Sequence, residues 1–213
     1  MADAPIIRLA RPADGDVLAA IYAPAVTERA TSFELVAPDG AEMARRISAV
    51  QPRFPWLVYE SGGTIRGYAY ATPHRDRAAY QWSVEVSAYV ADSAHRGGIG
   101  RALYTSLFAV LAELGLCNAY AGITLPNPAS VGFHTAMGFV PVGVYHSIGY
   151  KFGTWHDVVW LERVIVPHPA SPAAPRELAS VLHEPAVHAA VTRGLTGSAS
   201  TRPSPETRRP PAG

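Results

Sequence analysis

Asn127, Ser130 and His134 stand at spacings i, i+3 and i+7, which puts three polar side chains on one face of a helix. Asn suits the N-cap of such a helix, and Pro128 suits its first position. Ala129, Phe133, Ala136 and Met137 form the opposite stripe and are expected to enter the core. A ligand, or water alone, can use the polar side. Glu85 is the second candidate. It lies on the more polar face of a strand read from Gln81 to Val90, with Trp82, Val84, Val86, Ala88 and Val90 on the other face. A carboxylate near the end of a strand can act as a general base, directly or through a water. Without further context it is an ordinary exposed glutamate. The loop His74-Arg-Asp-Arg77 supplies a third set, followed by Tyr80 and Trp82. The guanidinium groups of Arg75 and Arg77 can grip a small anion in bidentate fashion, or can simply be solvated charge.

The fourth set is the stretch Tyr89 to Tyr104, read as the end of a strand, a glycine-rich turn and the start of a helix. Gly97, Gly98 and Gly100 free the backbone to turn tightly and expose its N–H groups, with Arg96 and Arg101 on either side. Unpaired N–H groups and the positive end of the dipole at the helix start suit a phosphate or pyrophosphate. A plain strand–helix connection is the alternative. No Gly-Lys-Ser/Thr follows, so the turn is not a Walker motif. His156 and Asp157 lack a partnering Gly-x-Ser-x-Gly elbow for a hydrolase triad.

The surrounding elements alternate between strands and amphipathic helices, which predicts an α/β or α+β domain. A short strand covers 6–9. A helix opens at Pro12, with Val17, Leu18 and Ile21 as its stripe, and Pro24 is expected to interrupt or end it. A connector over 27–36 carries Phe33. Asp39 caps a helix over 40–50, and residues 56–70 make a hairpin turning at Ser61-Gly-Gly63. Leu103, Leu107, Val110, Leu111 and Leu114 give the helix after the glycine turn its apolar stripe, and Gly115 its C-cap. Strands over 118–124, 140–145 and 156–163 complete the domain. The aromatic-rich segment Gly149 to Asp157 can line a pocket or a subunit interface. The domain is expected to span 1–165. The remainder, 166–213, holds nine of the nineteen prolines and is expected to be largely disordered, with at most a marginal helix around Glu177–His183.

Composition narrows the function classes. The chain has 213 residues, 48% hydrophobic and 16% charged, with a net charge of +1. That balance gives no general electrostatic case for nucleic acid or an anionic membrane. One cysteine, Cys117, excludes an internal disulfide or a cysteine-cluster metal site, and it is expected to be core. No apolar run is long enough for a bilayer and no signal-peptide core opens the chain, so a cytoplasmic protein is expected.

Taken together, His95-Arg-Gly-Gly98-Ile-Gly100, Asn127 and Met137-Gly-Phe139 resemble the GCN5-related N-acetyltransferase (GNAT) family, over roughly 5–165. His95 stands where that family's motif has Gln or Arg, with Arg96 beside it. Trp82 to Val90, Leu125-Pro-Asn-Pro128, Phe133-His134 and Gly149 to Asp157 resemble the phosphinothricin and methionine sulfone/sulfoximine N-acetyltransferases within it. The resemblance implies a mixed, mostly antiparallel sheet flanked by helices, with splayed parallel strands holding acetyl-CoA, and a homodimer. It implies that Glu85 is the base and that His134 lies near the reaction centre. It implies that Val90, His95, Arg96, Gly97, Gly98, Ile99, Gly100, Arg101, Asn127 and Ser130 face the cosubstrate. Phe33, Arg75, Arg77 and Tyr80 fall in the substrate-binding regions.

The chemistry fits that resemblance. An amine arrives as an ammonium, so a base must take a proton before nitrogen attacks the thioester. A backbone N–H near Val90 would polarise the carbonyl. Attack is direct, so neither a nucleophilic cysteine nor a metal is needed. The expected activity is acetyl transfer from acetyl-CoA to the α-amino group of a small amino-acid-like substrate. Two alternatives are acetylation of a protein N-terminus or lysine, and a catalytically silent acyl-CoA-binding module.

Overall fold

A computed structural model of the chain describes residues 4–196. Its centre is a seven-stranded sheet in the order β1-β2-β3-β4-β5-β7-β6. The strands are β1 (Ile6–Leu9), β2 (Trp56–Ser61), β3 (Thr64–Pro73), β4 (Ser83–Val90), β5 (Asn118–Thr124), β6 (Val140–Lys151) and β7 (Thr154–Val164). All neighbours are antiparallel except β4 and β5. This is the mixed, mostly antiparallel sheet that the family resemblance implies.

Side-chain alternation divides the sheet into two faces. On one, Trp56, Val58 and Tyr68 pack against α1 (Gly15–Thr27) and α2 (Gly40–Val50) through Leu18, Tyr22, Met43 and Ile47. On the other, Leu57, Ala69, Ala71, Val84 and Val86 pack against Leu103, Leu107, Val110 and Leu111 of α3 (Ile99–Glu113). The expected alternation of β4 therefore holds at Val84 and Val86. It sends Glu85, Ser87 and Tyr89 to the α1–α2 face, where Tyr89 meets the Tyr22 ring at 4.8 Å.

Local chemistry sets the helix ends. The Asp39 carboxylate accepts from the Glu42 N–H at 2.8 Å and starts α2. Gly115, at φ +83, turns the chain after α3. Asn127 caps α4 (Pro128–Ala136), accepting from the Ser130 N–H at 3.1 Å.

Three expectations need correction. Helix α1 runs through Pro24 to Thr27. The Glu28 N–H and the Thr27 hydroxyl bond to the carbonyls of Pro24 and Ala23, and burial of Ala25 and Val26 favours the last turn. The final strands are longer than the alternation indicated, because Phe152 and Gly153 form a two-residue turn with φ +50 and +76, the backbone that closes a tight hairpin. Most substantially, residues 166–196 are not a solvated tail. The short helix expected around Glu177–His183 is present as α5 (Leu178–Val181), α6 (Pro185–Thr196) packs on α3 and β1, and the two bury Leu178, Val181, Val187 and Ala190 in the core. The rest of the expected tail, 197–213, lies outside the described residues.

Close approach explains why that docking was hard to foresee. A Cβ on Gly194 would sit 1.9 Å from the Ala102 carbonyl oxygen, and the Gly194 N–H donates to the buried Ser106 hydroxyl at 3.0 Å. The contact depends on the absence of a side chain, which leaves little hydrophobic signature. Gly194→Val is expected to lower unfolding stability by about 1–3 kcal/mol, the usual cost of forcing atoms into a packed interface. Urea midpoints check this, and an unchanged midpoint would show that α6 contributes nothing to the fold.

Candidate active site

Strands β4 and β5 pair over only three positions, Ser83–Glu85 with Asn118–Tyr120, and then part. β4 stays paired with β3 as far as Val90, and β5 stays paired with β7 as far as Thr124. A cavity of about 330 Å³ opens where they diverge, walled by Val86 to Val90 and by Ala121 to Thr124. Ile21, Ala25 and Arg29 line it from the α1 side, and Tyr104, Ser130 and His134 from the other. The gap therefore runs through the sheet. The backbone of β4 faces it: Ala91 donates to Arg66 of β3, so alternation turns the N–H groups of Val90 and Ala88 toward the gap.

A second cavity, of about 560 Å³, adjoins the first between the glycine turn and α4. His95, Arg96, Gly98, Ile99, Gly100, Arg101, Ser130 and His134 line it. Gly98 has φ +77 and is the N-cap of α3, with no side chain capping the helix. The N–H groups of Ile99, Gly100 and Arg101 precede the first intrahelical bond, from Ala102 to Gly98, and are free to hold an anion. A Cβ on Gly100 would press on the Phe133 ring at 3.3 Å, so glycine there also lets α4 come close. Gly97 shapes the turn without lining the cavity. His95 points back, its Nε2 2.9 Å from the Val90 carbonyl, which leaves Arg96 and Arg101 as the side-chain cations of the turn.

The polar helix face of the sequence reading is real but is not turned to solvent. His134 is the buried residue of α4, and Ala129 and Ala136 of the supposed core stripe are exposed. The His134 Nδ1 lies 2.8 Å from the Ser130 carbonyl, so it carries the proton and donates. Nε2 then accepts from the Tyr104 hydroxyl at 3.0 Å. Rings of Phe133, Tyr104 and Phe139 surround the imidazole within 5.4 Å. Burial pushes its pKa below the ordinary 6.5, against the Ser130 carbonyl, which works to raise it. Tyr104 was missed in the sequence, although a tyrosine inside an apolar stripe signals a hydroxyl in need of a partner.

Glu85 lies at the point where the strands part, one residue before the cavity wall. Its Oε1 accepts from Arg75 at 3.1 Å and lies 3.1 Å from His74 Nδ1. Tyr80 meets the His74 ring edge-on at 6.3 Å. Glu85, Arg75 and Tyr80 are therefore brought together, with His74 as an unforeseen member. Arg77 makes no side-chain hydrogen bond among the described residues. Phe33 lies apart, over Gly149 and 6.2 Å from the His156 ring, against the β6–β7 hairpin.

A cleft through a sheet, with an uncapped helix start beside it and Glu85 at the last paired position where the strands close, has room for an elongated anionic ligand. The comparisons agree with that geometry. The acetyltransferase (GNAT) domain family matches residues 7–160, and the chain belongs to that family. It is 40% identical to a phosphinothricin N-acetyltransferase of Alcaligenes faecalis, over 74% of this chain and 81% of the relative. It is 32% identical to an L-methionine sulfoximine/L-methionine sulfone acetyltransferase of Salmonella typhimurium, over 78% and 98%. Among solved structures, a GNAT phosphinothricin acetyltransferase of Sinorhizobium meliloti in complex with acetyl-CoA superposes with a TM-score of 0.75 at 33% identity, covering 79% of this chain and 93% of that one.

The buried imidazole has a measurable consequence. Because the folded state lowers the His134 pKa, the unfolded chain takes up this proton first as the pH falls below about 6.5. The contribution from neutral His134 is complete above that pH and is lost as pH drops through the lower, folded value. His134→Gln is expected to flatten the decline in stability between pH 6.5 and 5, read from urea midpoints. Slopes equal to the wild type over that range would refute it.

Proposed function

We propose that this chain transfers acetyl from acetyl-CoA to the α-amino group of a small amino-acid-like substrate of the phosphinothricin or methionine sulfone/sulfoximine type. The observation carrying the proposal is the gap between β4 and β5, which joins the free N–H groups starting α3 to the neighbourhood of Glu85. The relatives named for those substrates support the choice of amine.

In this reading the pyrophosphate rests on the N–H groups of Ile99, Gly100 and Arg101, with Arg96 and Arg101 adding charge. The pantetheine arm lies in the gap along β4, past Asn127 and Ser130. The Val90 N–H polarises the thioester carbonyl and holds the charge that develops there. Glu85, directly or through a water, takes the proton of the incoming ammonium. Nitrogen then forms its bond to the acetyl carbon, the carbon–sulfur bond breaks, and the leaving thiolate takes up the second proton that the nitrogen sheds. His134, neutral and held by Tyr104, lines both cavities and lies close to that thiolate. Arg75, Arg77 and Tyr80 receive the substrate's anionic group. Phe33 packs against the β6–β7 hairpin, away from both cavities, and is left out of the proposed substrate site.

A homodimer is part of the proposal. β6 is the outer strand of the sheet, and its hairpin exposes Val142, Tyr145, Ile148, Tyr150, Phe152 and Trp155. A patch of that size beside an open strand edge suits a second copy of the chain. Trp155→Glu is expected to shift the mass measured by sedimentation from dimer to monomer; a wild-type chain that sediments as a monomer would remove the dimer.

Glu85→Gln is expected to lower kcat by about 10²–10⁴ at neutral pH, the range supplied by a positioned base, while acetyl-CoA binding stays near the wild-type value. Arg75→Ala with Arg77→Ala is expected to raise KM for the amine more than KM for acetyl-CoA. Thiol release with phosphinothricin, methionine sulfone, free amino acids and a peptide checks both. Turnover of the peptide alone would reverse the choice of substrate.

A further inference from the structure

His74 has no place in the reaction as described, yet it contacts the proposed base as closely as Arg75 does. It follows Pro73 at the end of β3, and its N–H extends the ladder to the Ser83 carbonyl of β4. Its ring is clamped. It stacks on Tyr120 at 4.4 Å with an interplanar angle of 20°, and the rings of Tyr80 and Trp160 meet it edge-on at 6.3 and 5.9 Å. Its side chain is only 15% exposed. Tyr120 is also the parallel neighbour of Glu85 across β4 and β5, which places its ring and the carboxylate on one face of the sheet.

The hydrogen bonding is asymmetric. His74 Nδ1 and an Arg75 N–H both reach Oε1 of Glu85, at 3.1 Å each. A carboxylate can only accept, so Nδ1 carries a proton. Two donors on one oxygen fix the rotation of the carboxylate and leave Oε2 to receive the proton of the amine. The charged and titratable groups facing the imidazole are Glu85 from β4, Arg75 from the loop, Tyr80 and Tyr120. Glu162 of β7 stands in register behind Tyr120.

We infer that His74 is a positioning residue for acetyl transfer, which holds the Glu85 carboxylate in one rotation. The inference rests on the reading of Glu85 as the base. The stack on Tyr120 holds the ring, and the ring's Nδ1–H donates to Oε1, so the carboxylate is presented to the amine in one orientation.

The test is kcat and the KM for the amine at saturating acetyl-CoA. His74→Phe keeps the stack on Tyr120 without the donor, and should lose about tenfold in kcat, within the range that orientation of a base supplies, with the amine KM within about twofold of the wild type. His74→Gln restores a donor toward Glu85 and should recover most of that loss. Acetyl-CoA affinity, measured by titration calorimetry, reports that both variants are folded. A His74→Phe kcat equal to the wild type, or a His74→Gln no faster than His74→Phe, would overturn the inference. Glu85→Gln run alongside separates the two levels of the argument. If it retains full kcat, the base assignment fails and takes the role of His74 with it. If it is inactive while His74→Phe keeps the wild-type kcat, only the positioning role fails.

Discussion

The molecule depends on one broken ladder. β4 and β5 form the parallel pair of the sheet, and they hold together over three positions before separating. Each strand keeps its other neighbour, so the sheet does not come apart. The cost is a run of backbone N–H and C=O groups on β4 without a strand beside them. Such groups must be satisfied by something, and a ligand with its own amide groups can do so. The gap is therefore both a defect in the sheet and a place where backbone groups are available to a ligand.

Everything nearby serves that opening. Helix α3 begins beside it with no capping side chain, so its first N–H groups remain available. Asn127, by contrast, spends its side-chain oxygen capping α4, which brings Ser130 and His134 to the cavity wall. His134 is neutral because it is buried and because both ring nitrogens are committed, to the Ser130 carbonyl and to Tyr104. Arg29 pairs with Asp92 and ties the end of α1 to the turn after β4. Glu85, His74 and Arg75 cluster where the two strands close, with one carboxylate oxygen within 3.1 Å of both the His74 Nδ1 and an Arg75 N–H.

The C-terminal helices lie beyond the matched family span of 7–160. They bear on the site indirectly. α6 packs on α3, the helix whose first turn borders the glycine-rich loop, with backbone against backbone at Gly194 and Ala102. That contact adds buried area to the largest core of the protein, through Val187 and Ala190, without touching either cavity.

Patterns that are local in the chain were legible without coordinates. The 3.6-residue stripe of α3, the period-2 alternation of β4, the Asp39 and Asn127 caps and the glycine turn all rest on chemistry between near neighbours. The family resemblance adds the splayed strands and the cosubstrate. What only the tertiary structure decided was which distant groups meet. Nothing in the chain pairs His74 with Glu85 across a hairpin, brings Tyr104 to His134, or turns His95 back onto Val90. Nor does it show that a stretch rich in proline and small residues docks by way of a glycine. Those outcomes depend on register and on interhelical distance, which arise when many weak local preferences are satisfied at once, and no stretch of sequence carries them alone.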